Sequence, residues 1–259
     1  MQMDAFSRTA LLLGDEAVQR IFASHVCVVG LGGVGSYVAE ALARGGVGAL
    51  TLVDADIVAD SNRNRQLCAL TSTVGMPKAE VLRQRVLDIN PECKVTALPI
   101  RYTGTELELS QYTYIADAID SVTDKLNLLE NAAKAHVPIL ACMGAGNKLD
   151  PMGFRVCDLE KTFGCPLAKR IRLAMRKRGV KHLRVVFSPE ETVVQIPQTT
   201  DSSDNLHPVR PPIGSAPWVP GAAGLLMAGT ILQAIAAGQL TPPSYQPANS
   251  NQDSKEGAN

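Results

Sequence analysis

Four glycines at positions 30, 32, 33 and 35 follow the apolar run Val26-Cys27-Val28-Val29 and precede a helical pattern. The spacing of Gly30, Gly32 and Gly35 is that of a turn built around a nucleotide phosphate. Absent side chains permit a tight bend and close approach of backbone to the anion, and the following helix offers free N–H groups and the positive end of its dipole. Asp54, 19 residues beyond Gly35, ends the next apolar run, where a carboxylate accepts hydrogen bonds from ribose hydroxyls. Taken alone, these residues fit hydride transfer from a dinucleotide as well as chemistry on ATP.

The elements that must position them follow from the hydrophobic pattern. Positions 6–24 read as a helical entry piece broken near Gly14, with Val18, Ile21 and Phe22 facing inward. A strand at 26–29, a helix from Gly35 stopped by Gly45-Gly46, and a strand at 49–54 make a βαβ unit. A helix over 78–90 ended by Pro91, strands at 94–100, 112–117 and 137–141, and an intervening Leu/Ala-rich helix extend it. The fold class is α/β: a Rossmann-like, mostly parallel sheet with helices on both faces. Short antiparallel additions are expected at 154–156 and 183–187. One domain is expected over 1–240, with a nucleotide-binding half at 1–150 and a substrate-facing half at 151–240. The Pro, Ser, Asn and Gln content of 241–259 predicts a disordered tail.

Composition narrows the classes of partner. The 25 Lys/Arg and 25 Asp/Glu cancel, so the whole chain is no polycation, yet Lys169 through Arg184 holds eight Lys/Arg and no acid. Pro166 can open a helix with Leu167, Ile171, Ala174 and Met175 on one apolar stripe. Lys169, Arg170, Arg172, Arg176 and Lys177 then point largely to water, with Arg178 just beyond, as a face able to track the phosphates of a polyanion. Six cysteines form no CxxC pair and follow no secretory signal, which predicts a cytoplasmic protein without disulfides or zinc. The apolar segment 221–238 contains Gln233 and many small residues, and is expected to be a buried helix rather than a membrane span.

The blocks after the glycine turn are more specific: Asp54-Ala55-Asp56, Asn62-Arg63-Asn64-Arg65-Gln66, Lys78 at a helix start, and Asp117 to Asp120 after a later strand. In this order they resemble the ubiquitin-activating, ThiF/MoeB-like adenylating superfamily. That resemblance implies ATP as co-substrate. Arg65 and Lys78 would hold the phosphates, Asn62 and Gln66 orient them, Asp54 bind ribose, and Asp56 order the site. Asp120 would carry Mg2+, with Asp117 the competing ligand. The element Phe6-Ser7-Arg8-Thr9 resembles one whose arginine reaches the ATP of a neighbouring subunit, which implies a homodimer with Arg8 acting across it.

The second half resembles the tRNA threonylcarbamoyladenosine dehydratase branch. The matching blocks are Gly144-Ala145-Gly146-Asn147-Lys148-Leu149-Asp150-Pro151, Pro166-Leu167-Ala168 and Arg176-Lys177-Arg178-Gly179, with Cys165 standing where an aspartate is usual. The branch implies tRNA as substrate, bound by Lys169, Arg170, Arg172, Arg176, Lys177 and Arg178, an alkali ion near 144–147, and a cysteine desulfurase or sulfur-acceptor system as partner. Two other functions remain open on sequence: adenylation of the C-terminal glycine of a ThiS/MoaD-like sulfur carrier, and a nucleotide-sensing RNA-binding module without catalysis.

Overall fold

Short runs of aliphatic residues form the sheet interior because both of its faces are covered, an environment that suits Val, Ile and Leu in parallel strands. In the computed structural model, which describes residues 3–193 and 213–247, five strands run parallel: β1 (His25–Val29), β2 (Ala49–Val53), β3 (Lys94–Leu98), β4 (Tyr114–Asp117) and β5 (Ile139–Cys142). Their spatial order is β3-β2-β1-β4-β5. The chain winds outward from β1 in one direction and then returns to its other side. That reversal opens a crevice beyond the C-terminal ends of β1 and β4, the place where open α/β sheets receive ligands.

Helices α1 (Met3–Leu13) and α2 (Asp15–Phe22) precede the sheet and meet at Gly14, as the sequence predicts. On one face, α2, α3 (Gly35–Arg44), α4 (Lys78–Ile89) and α7 (Trp218–Ala237) cover Val26, Val28, Leu50, Leu52, Ala116 and Leu140. On the other, α5 (Val122–Lys134) and α6 (Pro166–Lys177) cover Cys27, Val29, Ile115, Ile139, Ala141 and Val185. The alternation of strand side chains feeds both cores. Although α7 is long and apolar enough to cross a membrane, Val219, Ala223, Met227 and Ile231 are buried in the core beside α3.

Two local expectations need correction. The segment 183–187 forms β8 (Arg184–Phe187), which lies parallel to β5; only β6 (Arg155–Asp158), at the sheet edge, is antiparallel to it. The α6 crossover brings β8 back in the direction of β5, which strand pattern alone does not encode. Residues 241–247, expected to belong to a disordered tail, are held against the fold. Ser244–Tyr245 (β9) pairs antiparallel with Val180–Lys181 (β7), Gln246 N–H donates to Gly179 O at 2.9 Å, and Lys134 lies over the Tyr245 ring. The remainder, 248–259, lies outside the described residues.

Candidate active site

A cavity of about 920 Å3 occupies the crevice, and Gly30, Gly32, Gly33, Asp54, Asp56, Asn62, Arg65, Gln66, Lys78 and Asp120 all line it. Residues spread over ninety positions of sequence therefore share one wall system. The glycines differ in what they do. Gly30 has φ +88°, and a Cβ there would lie 2.7 Å from the Ala118 backbone; a Cβ on Gly35 would lie 1.7 Å from Gly30 O. Gly30 is required where the turn passes the backbone after β4, and Gly35 where the start of α3 packs on the turn. A Cβ on Gly32 would meet nothing nearer than Gln66 Nε2 at 3.7 Å. The chain itself does not demand a glycine at 32, but a phosphate approaching the backbone does.

The carboxylates and cations are arranged around this turn. Asp54, at the end of β2, accepts from Leu31 N–H at 2.6 Å and from Asp56 N–H at 2.8 Å, which locks its orientation. Burial pushes its pKa above the ordinary value, while these backbone bonds pull the other way. Its remaining lone pairs can still receive hydroxyls. Lys78 opens α4 with its side chain 5% exposed, and its Nζ lies 2.7 Å from Asp56 Oδ2. Asp56 thus holds the ammonium in place by a charge-assisted bond. In the turn Asp60–Asn62, Asn62 Oδ1 accepts from Ala59 N–H at 3.1 Å; Arg65, just beyond, donates to Ser61 O and Asn64 Oδ1, each at 2.8 Å. Gln66 is buried beneath the glycine turn.

The two candidate metal ligands separate cleanly. Asp117 and Lys125 are both fully buried, and Lys125 Nζ donates to Asp117 Oδ2 at 2.6 Å and to Cys142 O at 3.0 Å. Asp117 Oδ1 accepts from Ile119 N–H at 3.0 Å, shaping the loop that carries Asp120. Asp117 is therefore a buried brace and Asp120 the exposed carboxylate on the cavity wall. One carboxylate beside a phosphate site fits Mg2+, which completes its shell with phosphate oxygens and water. Among the described residues no group of three or more His, Cys, Asp or Glu is placed to hold a metal.

The ThiF family model matches residues 6–256. The chain belongs to the ThiF family. It is 42% identical over 235 residues to the tRNA threonylcarbamoyladenosine dehydratase of Bacillus subtilis, covering 88% of this chain and 92% of that one. The Escherichia coli dehydratase TcdA, solved with ATP, superposes with a TM-score of 0.79 at 37% identity, covering 91% of this chain and 95% of that one; an AMP complex of TcdA matches equally well. Similarity to the E. coli ThiS adenylyltransferase, 33% identical, spans only 52% of this chain and 56% of that one.

Within this ThiF-family fold the basic helix is less free than its sequence implies. Arg172 turns inward and donates to Thr162 O at 2.8 Å. Arg176 Nε donates to both Glu160 carboxylate oxygens at 3.0 Å, and Arg178 Nη1 to Glu130 Oε2 at 2.8 Å. Acids absent from the local sequence come from elsewhere in the fold. Lys169, Arg170 and Lys177 stay exposed on α6. Arg8 is exposed on α1 and is not part of the cavity lining among the described residues.

Two of the thiols, Cys68 and Cys142, are held in the protonated form by their surroundings. Burial pushes Cys68 up to about 11 and Cys142 up to about 12, well above the range where thiolate forms at neutral pH. Sequence reasoning missed Arg101 and Asp124 at the rim, joined Nε to Oδ2 at 2.8 Å, and the lining role of Lys148. A helical Asp that faces its own fold and a lysine in a glycine loop carry no periodic signal.

Proposed function

We propose that this protein is an ATP-dependent dehydratase of threonylcarbamoyladenosine in tRNA. The single observation that carries the reading over sulfur-carrier adenylation is extent. Likeness to the dehydratases runs through both halves of the chain, whereas likeness to the ThiS adenylyltransferase stops at about half.

In the reaction, a carboxylate oxygen of the threonyl group attacks the α-phosphorus of ATP, and the bond to pyrophosphate breaks. The carbamoyl group of the same nucleoside then attacks the acyl carbon, AMP leaves with the former carboxylate oxygen, and a proton is released as the ring closes. Gly32 brings backbone to the phosphates, Lys78 and Arg65 offset the charge gathering there, and Asn62 and Gln66 orient them. Asp54 receives the ribose, and Asp56 holds Lys78 ready. Asp120 would hold Mg2+, whose charge offsets that of the phosphate oxygens. Because the second nucleophile is tethered to the first, effective molarity replaces a catalytic cysteine, in keeping with the raised pKa of Cys68 and Cys142.

Lys169, Arg170 and Lys177 are the part of α6 best placed to track tRNA phosphates, with Arg172, Arg176 and Arg178 shaping that surface. We assign Arg8 to the ATP site of a second subunit in a cytoplasmic homodimer; absence of rescue between an Arg8→Ala and a Lys78→Ala chain in mixed dimers overturns that assignment. The 144–147 loop is the candidate place for an alkali ion, and a cysteine desulfurase system the candidate partner. The decisive experiment is nucleoside mass spectrometry of modified tRNA incubated with the protein, ATP and Mg2+. Ring closure with loss of water is expected. Unchanged tRNA, together with pyrophosphate exchange that depends on a ThiS-like carrier, would replace this reading by sulfur-carrier activation.

A further inference from the structure

Beyond the glycine turn the cavity continues to a second wall formed by Met143, Gly144, Lys148, Cys165, Pro166 and Leu167. Lys148 is 3% exposed and makes no ion pair among the described residues. Its Nζ donates to the carbonyl oxygen of Glu190, while the Glu190 carboxylate accepts from Leu149 N–H at 2.9 Å and Asp150 N–H at 3.2 Å. The other buried lysines, Lys78 and Lys125, each have a carboxylate. An ammonium withdrawn from water with only a carbonyl for company costs stability and has donors to spare.

The N-terminus of α6 meets the same wall. Cys165 stands at its cap without a side-chain cap hydrogen bond, Pro166 at the first position has no N–H, and the first turn holds no acid, so among the described residues no side chain caps the positive end of this twelve-residue helix. A buried cation and an uncapped helix both favour an anion here. The phosphates of ATP are already served at the glycine turn by Gly32, Arg65 and Lys78.

We propose that Lys148, backed by the N-terminus of α6, forms a carboxylate subsite that grips the threonyl carboxylate of the substrate beside the α-phosphate. The inference rests on the dehydratase reading. Attack by one anion on another needs a cation on the nucleophile's side as well as the phosphate's, and Lys148 supplies it.

The test compares an anticodon stem-loop carrying the threonylcarbamoyl group with its carboxamide analogue, each titrated into the full-length protein saturated with a non-hydrolysable ATP analogue. Wild type should bind the acid at least about tenfold more tightly than the amide. In Lys148→Met this preference should vanish, KM for modified tRNA should rise by about tenfold or more, and affinity for ATP should stay within about twofold. Equal binding of acid and amide by wild type overturns the subsite, as does a Lys148→Met protein with unchanged KM or with an equal loss of ATP affinity. If Lys148→Met does not fold, wild type and Lys148→Arg carry the comparison, the arginine keeping a reduced preference for the acid. A wild-type protein that converts no modified tRNA instead refutes the dehydratase reading itself, whereas conversion without acid preference refutes only the role of Lys148.

Discussion

Gly32→Ala should separate binding from folding in a way that Gly35→Ala cannot. The methyl group at 32 finds its nearest neighbour 3.7 Å away, an ordinary contact, whereas the one at 35 starts 1.7 Å from Gly30 O. Roughly 1.5 Å of backbone displacement would be needed at 35 to restore normal contact, beyond the overpacking that costs cores about 1–3 kcal/mol. At 32 the folded protein is undisturbed, and restricting the unfolded chain can return about 0.4–1 kcal/mol of stability. On the proposed reading, the same methyl stands where a phosphate meets the backbone. Loss of one charge-assisted hydrogen bond, about 1.5–3 kcal/mol, corresponds to a roughly 10- to 150-fold weaker affinity for ATP. Thermal unfolding and calorimetric titration with ATP on the two variants measure both halves of the argument. A Gly32→Ala protein that binds ATP like wild type, or that is destabilised as much as Gly35→Ala, would refute it.

Lys125→Met leaves Asp117 buried without its counter-charge and should cost about 3–5 kcal/mol. Burial already holds the Asp117 carboxyl above its ordinary pKa, and removing Lys125 raises it further. The folded state then binds the proton more tightly than the unfolded one, so stability falls as pH rises from the ordinary carboxylate range through the raised value. Urea unfolding should show a larger penalty for the variant at pH 8 than at pH 5, and a pH-independent penalty would contradict the assignment. With thiols near 11 and 12, iodoacetamide at pH 7.5 should leave Cys68 and Cys142 of the native protein unmodified while alkylating all six cysteines in urea; rapid native labelling of either one sinks the inert-thiol account. Alanine at Lys169, Arg170 and Lys177 together should lower the salt dependence of tRNA binding by about 0.7–0.9 in slope per lost phosphate contact. An unchanged slope would move the tRNA to another face.

Much of the site was legible because its signals are local. The strand, glycine turn and helix at 26–44 are a single continuous pattern, and Lys78 opens α4 at the residue where the hydrophobic periodicity begins. The loop acids Asp54 and Asp56 follow directly from the end of β2. What remained hidden depends on residues distant in sequence. Glu160 lies 16 positions from Arg176, and Glu130 lies 48 from Arg178, so two of the eight cations in a run that reads as unbalanced charge are paired with acids in space.

The amino-acid sequence by itself determined the chemical groups, their order and the βα framework, since burial on one face and freedom at a turn are written in neighbouring residues. Tertiary structure alone decided which of those groups remain available. It seals Asp117 against Lys125 and leaves Asp120 on the cavity wall, makes Gly30 and Gly35 packing requirements while Gly32 stays open to a ligand, and buries Lys148 with no carboxylate partner among the described residues. Desolvation and long-range pairing are set by what packs against a side chain from other elements, and no local pattern records that.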